Sequence, residues 1–398
     1  MGTSSHHKVL IVGGGTAGIT TAARLLRKID SVAVMDPSDD HYYQPLWTLV
    51  GGGCVKASST KRSQASVIPK GADWIKEAAV EIEPENNVVR TDAGSSYSYD
   101  ALVLCPGIQL DWDLVPGVTE TLGKNGVSSN YSFELAPKTW DFIRNTRSGT
   151  AVFAMPNGAI KCGGAPQKIA YLACDYWRSQ GVLDKIDVHL VVPGPRIFGL
   201  SEFADSLDQV IADYGINLHT GAALESIDPD GKKATFGGSD TASAFSLPYD
   251  VLHLAPPQSA PDWVKASPLS DESPGGWVDV DKYTLQHNRY SNVFSLGDAG
   301  STPNGKTGAA VRKQAPVVVE NLRAMFDEQP LTAEYHGYSS CPIVTSRDRV
   351  LLAEFDYDGN HTPTFPLIDL TKPRRDMWYL KRYGLPFLYW NLMLKGRA

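Results

Sequence analysis

An α/β fold is expected for this 398-residue chain on three observations. Apolar runs of strand length alternate with amphipathic stretches, the rhythm of parallel strands joined by crossover helices. The first such unit, KVLIVGGGTAGITTAARLLRK from residue 8, passes from strand to helix through Gly13, Gly15 and Gly18. A second unit over residues 150–199 repeats the order strand, loop, helix, strand. Two Rossmann-like domains follow, and a basic, aromatic segment from residue 371 adds a third module.

Bulk composition narrows the function classes. A hydrophobic content of 42% with 20% charged residues is ordinary for a globular protein. A net charge of -7 argues against a general nucleic-acid binder. Five scattered cysteines, Cys54, Cys105, Cys162, Cys174 and Cys341, show no paired spacing for structural zinc or a disulfide scaffold. The opening MGTSSHH reads as neither signal nor transit peptide, and no apolar run is long enough to span a bilayer.

In the first unit the glycines allow a tight turn, close approach of backbone to a pyrophosphate, and close helix–strand packing. The helix start near residues 15–18, including Ala17, offers free N–H groups and its positive dipole end to the phosphates. The next strand, SVAVMD, ends in Asp36, a carboxylate suited to ribose hydroxyls. Two later stretches decide between dinucleotides. YDALVLCPGIQ is an apolar strand ending in Pro106-Gly107. NVFSLGDAGSTPNGKTGAAV is a strand, then Gly297-Asp298, then a helix reached through Lys306 and Thr307. Both resemble motifs of two-dinucleotide flavoproteins, the latter their second FAD motif, and neither is expected of a domain that binds NAD alone. The resemblance implies FAD as cofactor, and no metal is expected.

The second unit lacks a nucleotide site. Its loop, IKCGGAPQK over residues 160–168, has no properly spaced glycine trio, and its second strand ends in VVPG with neither acid nor arginine. Cys162 stands there instead, just before a helix whose first turn contains Pro166. The helix dipole, Lys161 and Lys168 favour its thiolate. Cys174, Cys54 and Cys341 read as small buried hydrophobes, and Cys105 is expected on a strand that lies along the cofactor away from this site.

Together with HYYQPLWTLVGGG, SVIPKGADWIK, GWVDVDKYTLQH, SSCPIVT, LLAEFDY and LPFLYWNLML, these motifs resemble the mitochondrial-like sulfide:quinone oxidoreductases of the flavoprotein disulfide reductase superfamily, over nearly the whole chain. The resemblance implies FAD, contacts to it that include Gln44, and sulfide oxidation at a cysteine pair with electrons passed to a ubiquinone-like quinone. It places Cys162 as the cysteine handling sulfide-derived sulfur, Lys306 at the pyrimidine edge of the flavin, and Glu120 as an acid–base group. The family's second redox cysteine directly follows Gly-Asp, where this chain has Ala299. Three readings stay open: a Cys-to-Ala variant, a member that uses an external thiol such as glutathione, or a paralogue with another thiol substrate.

Residues 371–398 carry seven Lys/Arg, one acid and six aromatics, and Gly384-Leu385-Pro386 divides them into two short pieces. Such a segment suits the headgroup region of a bacterial or mitochondrial inner membrane. The expected divisions are a FAD domain at 8–113 and 281–328, a second Rossmann-like domain at 114–280, and a quinone and membrane-surface module at 329–398. The expected function is FAD-dependent oxidation of sulfide or a small thiol at Cys162. A thiol oxidase and a flavin-binding protein impaired in turnover are the alternatives.

Overall fold

A computed structural model describes residues 4–238 and 244–398. Its first sheet has seven strands and is centred on Ser4–Val12. That strand pairs in parallel with Val32–Met35 on one side and Ser96–Leu104 on the other, and Val293–Ser295 joins the latter. Valine, isoleucine and leucine fill the central positions because both faces are covered, as a parallel sheet requires. The register sets Ile11 between Val34 and Val103, all three buried. The first strand starts earlier than the apolar pattern suggests: His6 and His7 pair with Ser98 and Tyr99, and the His7 ring stacks near Tyr97.

A second parallel sheet orders Val127–Ser128, Val251–Leu254, Gly149–Ala154, Ile186–Val192 and Asn217–Thr220. A three-stranded antiparallel sheet, Ala222–Asp228, Lys233–Gly238 and Phe245–Pro248, lies beside it. Two further antiparallel strands, Ser339–Ser346 and Arg349–Phe355, form a hairpin whose first strand packs on the helix Ala165–Ser179. That helix is buried along most of its length, with Cys174 at 0% exposure in its middle. One apolar core joins the first sheet, this helix, the late hairpin and the chain's C-terminal end.

The C-terminal segment differs from the two pieces expected. Helix Arg375–Tyr379 runs without a break through a π-turn, Leu380–Gly384, into helix Leu385–Asn391. The wider i→i+5 turn absorbs the glycine, and Pro386 falls in the first turn of the following helix, where its missing N–H costs no hydrogen bond. Among the described residues no helix is long and apolar enough to cross a membrane.

Candidate functional site: a sulfur pair beside a dinucleotide cradle

The dinucleotide cradle fits FAD. Gly13 has φ +108°, and a Cβ there would lie 2.2 Å from the Cys105 carbonyl oxygen; at Gly18 it would meet the Gly13 oxygen at 1.8 Å. Only glycine permits this approach of strand and helix. Gly15, by contrast, opens onto free space and caps the helix Thr16–Leu25, whose first turn has neither an acid nor a side-chain cap. Those N–H groups remain available to a pyrophosphate. Asp36 is fixed by the backbone N–H groups of Gly14 at 2.6 Å and Ser38 at 2.8 Å, and burial pushes its carboxyl up.

The second FAD motif meets the first. A Cβ on Gly297 would touch Ala17 at 3.2 Å, and the Gly297 N–H donates to Gln314. The carboxylate of Asp298 accepts no hydrogen bond among the described residues, although burial raises its pKa, so a bound hydroxyl could supply one. Lys306 Nζ donates to the carbonyls of Asp298 and Gly300 and sits 3.7 Å from the centre of the Trp277 ring. Burial brings its pKa down to about 8. Thr307 caps the following helix by accepting from the Ala310 N–H. Pro106 and Gly107 lie partly exposed after the strand Ser96–Leu104, with Gly107 at φ +83°. Gln44 is drawn in by Lys161, whose Nζ donates to its Oε1 at 2.8 Å.

Cys162 is joined to this cradle by backbone: its N–H donates to the carbonyl of Lys306 at 3.0 Å. Its φ of +52° is a left-handed conformation that non-glycine residues seldom hold. Its own carbonyl accepts from Ala165 and starts the turn into the helix Ala165–Ser179. Lys168, one turn along that helix and 3% exposed, places its Nζ 2.9 Å from Cys162 Sγ. Lys161 turns away to Gln44, so Lys168 supplies the contact that both lysines were expected to make.

The second sulfur is Cys341. Its Sγ lies 3.9 Å from Cys162 Sγ, carried there by the strand Ser339–Ser346. This corrects two expectations, that Cys341 is merely a buried hydrophobe and that the pair would need position 299. Ala299 is fully buried in a different core with Val278, Val280 and Leu104, whereas Cys162 and Cys341 share the core that joins helix and hairpin. Gly164 makes the room, since a Cβ there would lie 2.8 Å from Cys341 Sγ. A hydrogen bond from Cys341 and the Lys168 ammonium hold Cys162 well below the usual thiol range, while the same bond and burial raise Cys341. Burial disfavours a charged Lys168, but Cys162 and Cys341 together outweigh it and the net shift is upward. In the reduced pair these shifts favour a Cys162 thiolate, a Cys341 thiol and a Lys168 ammonium.

Other candidates lie elsewhere. Cys105 is buried at the end of its strand, its Sγ 3.7 Å from the Gly13 oxygen, and burial pushes its pKa up. Glu120 is exposed on the short helix Val118–Thr121, with a hydrogen bond from Thr119, and Gly117 before it packs on Ile227 of the antiparallel sheet. The groups acting on Cys162 do not include it.

The Pyridine nucleotide-disulphide oxidoreductase family matches residues 7–315. The mitochondrial sulfide:quinone oxidoreductase of Mus musculus is 42% identical over 98% of this chain and 87% of that protein. The chain belongs to the sulfide:quinone oxidoreductase family. The Dictyostelium discoideum mitochondrial sulfide:quinone oxidoreductase is 41% identical over 98% of the chain and 86% of its own length. A solved sulfide:quinone oxidoreductase from Aquifex aeolicus superposes with a TM-score of 0.83, covering 99% of this chain and 92% of that one at 20% identity, which shows the shared fold. Sulfide:quinone oxidoreductase family membership makes FAD the cofactor of the cradle.

Proposed function

We propose that this protein oxidises sulfide, or a closely related small thiol, at Cys162 and Cys341 and passes the electrons through FAD to a quinone. The carrying observation is the 3.9 Å sulfur pair beside Lys168, on a loop bonded to the FAD cradle. Relatives named for sulfide and quinone support the substrate assignment. The thiol-oxidase and impaired-binder alternatives rested on a missing second cysteine, and Cys341 removes that basis.

In the oxidised enzyme Cys162 and Cys341 form a disulfide. Thiol–disulfide exchange favours expulsion of the sulfur with the lower pKa. Sulfide therefore attacks the Cys341 sulfur, which becomes a persulfide, and the S–S bond breaks to release the Cys162 thiolate against Lys168. Closing the Cys162 thiolate onto the Cys341 persulfide as a trisulfide, or onto the Cys341 thiol as a disulfide once the outer sulfur has left, releases two electrons, which FAD held in the cradle would take up for delivery to quinone. A single inserted sulfur also bridges the pair with a small side-chain adjustment, because a bent S–S–S unit with bonds of about 2.05 Å spans roughly 3.3 Å against the 3.9 Å between the two sulfurs. A thiol acceptor such as glutathione then removes the sulfane sulfur. Overall, sulfide plus thiol plus quinone gives a persulfide and a quinol.

The C-terminal segment supports seating at a membrane surface. Its outer side exposes Tyr379, Tyr383 and Phe387, while Tyr389, Trp390, Met393 and Leu394 are buried. We assign the protein to the peripheral surface of a membrane, the mitochondrial inner membrane or its bacterial counterpart, with the quinone drawn from that membrane.

Anaerobic mixing with sulfide should bleach the flavin absorbance, and a short-chain quinone should restore it. Cys162→Ser should keep its FAD and lose this bleaching. A Cys162→Ser form that bleached at the parent rate would assign the cysteine a structural role. NADH and NADPH should reduce the flavin no faster than buffer, because Cys162 and its turn occupy the loop where a nicotinamide dinucleotide would need glycines. Saturable, rapid reduction by either nucleotide would overturn that expectation.

A further inference from the structure

We propose that Lys381 is a positioning residue for the sulfur site: from the C-terminal helical segment it helps hold the Cys162 sulfur as an anion, so the site is electrostatically complete only while that segment is seated. The proposal rests on Cys162 and Cys341 being the reacting pair, although its test does not use turnover.

Lys381 is 3% exposed, a burial that lysine tolerates only with compensation for its charge. Its one hydrogen bond among the described residues is to the Pro45 carbonyl, at 2.9 Å. No carboxylate pairs with it there. The groups that favour its charge are Cys162 and Cys341, and the one that opposes it is Lys168. The Pro45 carbonyl that Lys381 binds follows Gln44, whose Oε1 accepts from Lys161 beside Cys162, so the Lys381 ammonium reaches the same site as Lys168 and favours the ionised sulfur. Burial takes Lys381 down to about 8, which leaves it mostly charged at neutral pH.

The backbone explains how a segment so late in the chain reaches the site. The π-turn Leu380–Gly384 turns Lys381 inward while its neighbours Tyr379 and Tyr383 remain exposed and stacked on each other. Tyr389 anchors the segment, its hydroxyl 2.6 Å from His41 Nε2 and 3.0 Å from Thr16 Oγ1. The Arg62 guanidinium covers Trp390 at 4.2 Å. The same helical stretch thus presents an aromatic face outward and a cation to the sulfurs inward.

Other groups facing Cys162 are Lys168, the Cys341 thiol, the Asp298 carboxylate and the Tyr131 phenol, which donates to the carbonyl of Lys161. All remain in place when only position 381 changes, so a shift can be assigned to the lost cation.

The test is the pH dependence of iodoacetamide alkylation at Cys162 in full-length, flavin-loaded protein, reduced and desalted without oxygen, with labelling located by peptide mass. Lys381→Gln keeps a donor for Pro45, and Lys381→Met keeps the bulk. Both should raise the alkylation midpoint by about one pH unit, the low end of the effect of an opposite charge. Lys381→Arg should stay near the parent. An unmoved midpoint in either neutral variant with flavin retained would overturn the proposal, as would an arginine form that shifts like the neutral ones. Loss of flavin from both neutral variants would make Lys381 a structural residue and also overturn it. Failure of the parent protein to react with sulfide would contradict the proposed function, yet leave this midpoint readable.

Discussion

Replacing Cys341 by serine is expected to lower sulfide-dependent quinone reduction by about a thousandfold or more, with FAD content unchanged. Without Cys341 the oxidised enzyme has no internal disulfide, and sulfide must wait for a second thiol to arrive from solution. Holding both sulfurs 3.9 Å apart removes that encounter. The serine hydroxyl fits the space left open by Gly164, so the strand Ser339–Ser346 should keep its packing. Added thiol should recover part of the lost rate, because an external sulfur can serve as the missing partner. The check is steady-state quinone reduction with and without glutathione, beside the flavin spectrum. A serine form working at the parent rate would leave Cys162 acting alone.

Lys168→Met is expected to slow flavin reduction by sulfide about 100-fold near neutral pH, the scale for removing one fixed donor from a developing charge. In the parent, Lys168 helps depress the Cys162 pKa, so the thiolate persists to low pH. Without the ammonium, Cys162 ionises only at higher pH and becomes a poorer leaving group. The deficit should therefore be greatest in mildly acidic solution and narrow as pH rises. Sulfide's own ionisation is common to both forms, so the ratio of their rates isolates the cysteine. Stopped-flow reduction across pH checks this, and a ratio independent of pH would contradict the assigned role.

Much of the fold was legible because each device that makes it is local. Gly13, Gly15, Gly18 and Asp36 lie within one strand–helix–strand unit, and Gly297-Asp298 announces the other cofactor motif within a short stretch. Cys162 was legible for the same reason, as its loop, its helix start and Lys168 are adjacent in sequence. Cys341 was not. Its surroundings, SSCPIVT, read as an ordinary buried strand, and only the packing of that strand on the helix Ala165–Ser179 brings its sulfur to Cys162. Resemblance pointed instead to position 299, where the side chain turns into a separate core. Lys381 was hidden similarly, counted among the basic residues of a surface segment until the π-turn placed it inside. Glu120, which the resemblance named, is exposed on its short helix and is not among the groups acting on Cys162.

The central claim is that Cys162 and Cys341 are the redox pair. Non-reducing peptide mapping of the flavin-loaded protein, reoxidised with quinone and blocked with iodoacetamide, tests it most directly. The account predicts that the peptide containing Cys162 is joined to the peptide containing Cys341, with a mass two hydrogens below their sum or carrying one additional sulfur atom. Cys54, Cys105 and Cys174 should remain unlinked. Recovery of Cys162 and Cys341 as separately alkylated thiols after full reoxidation would contradict the account.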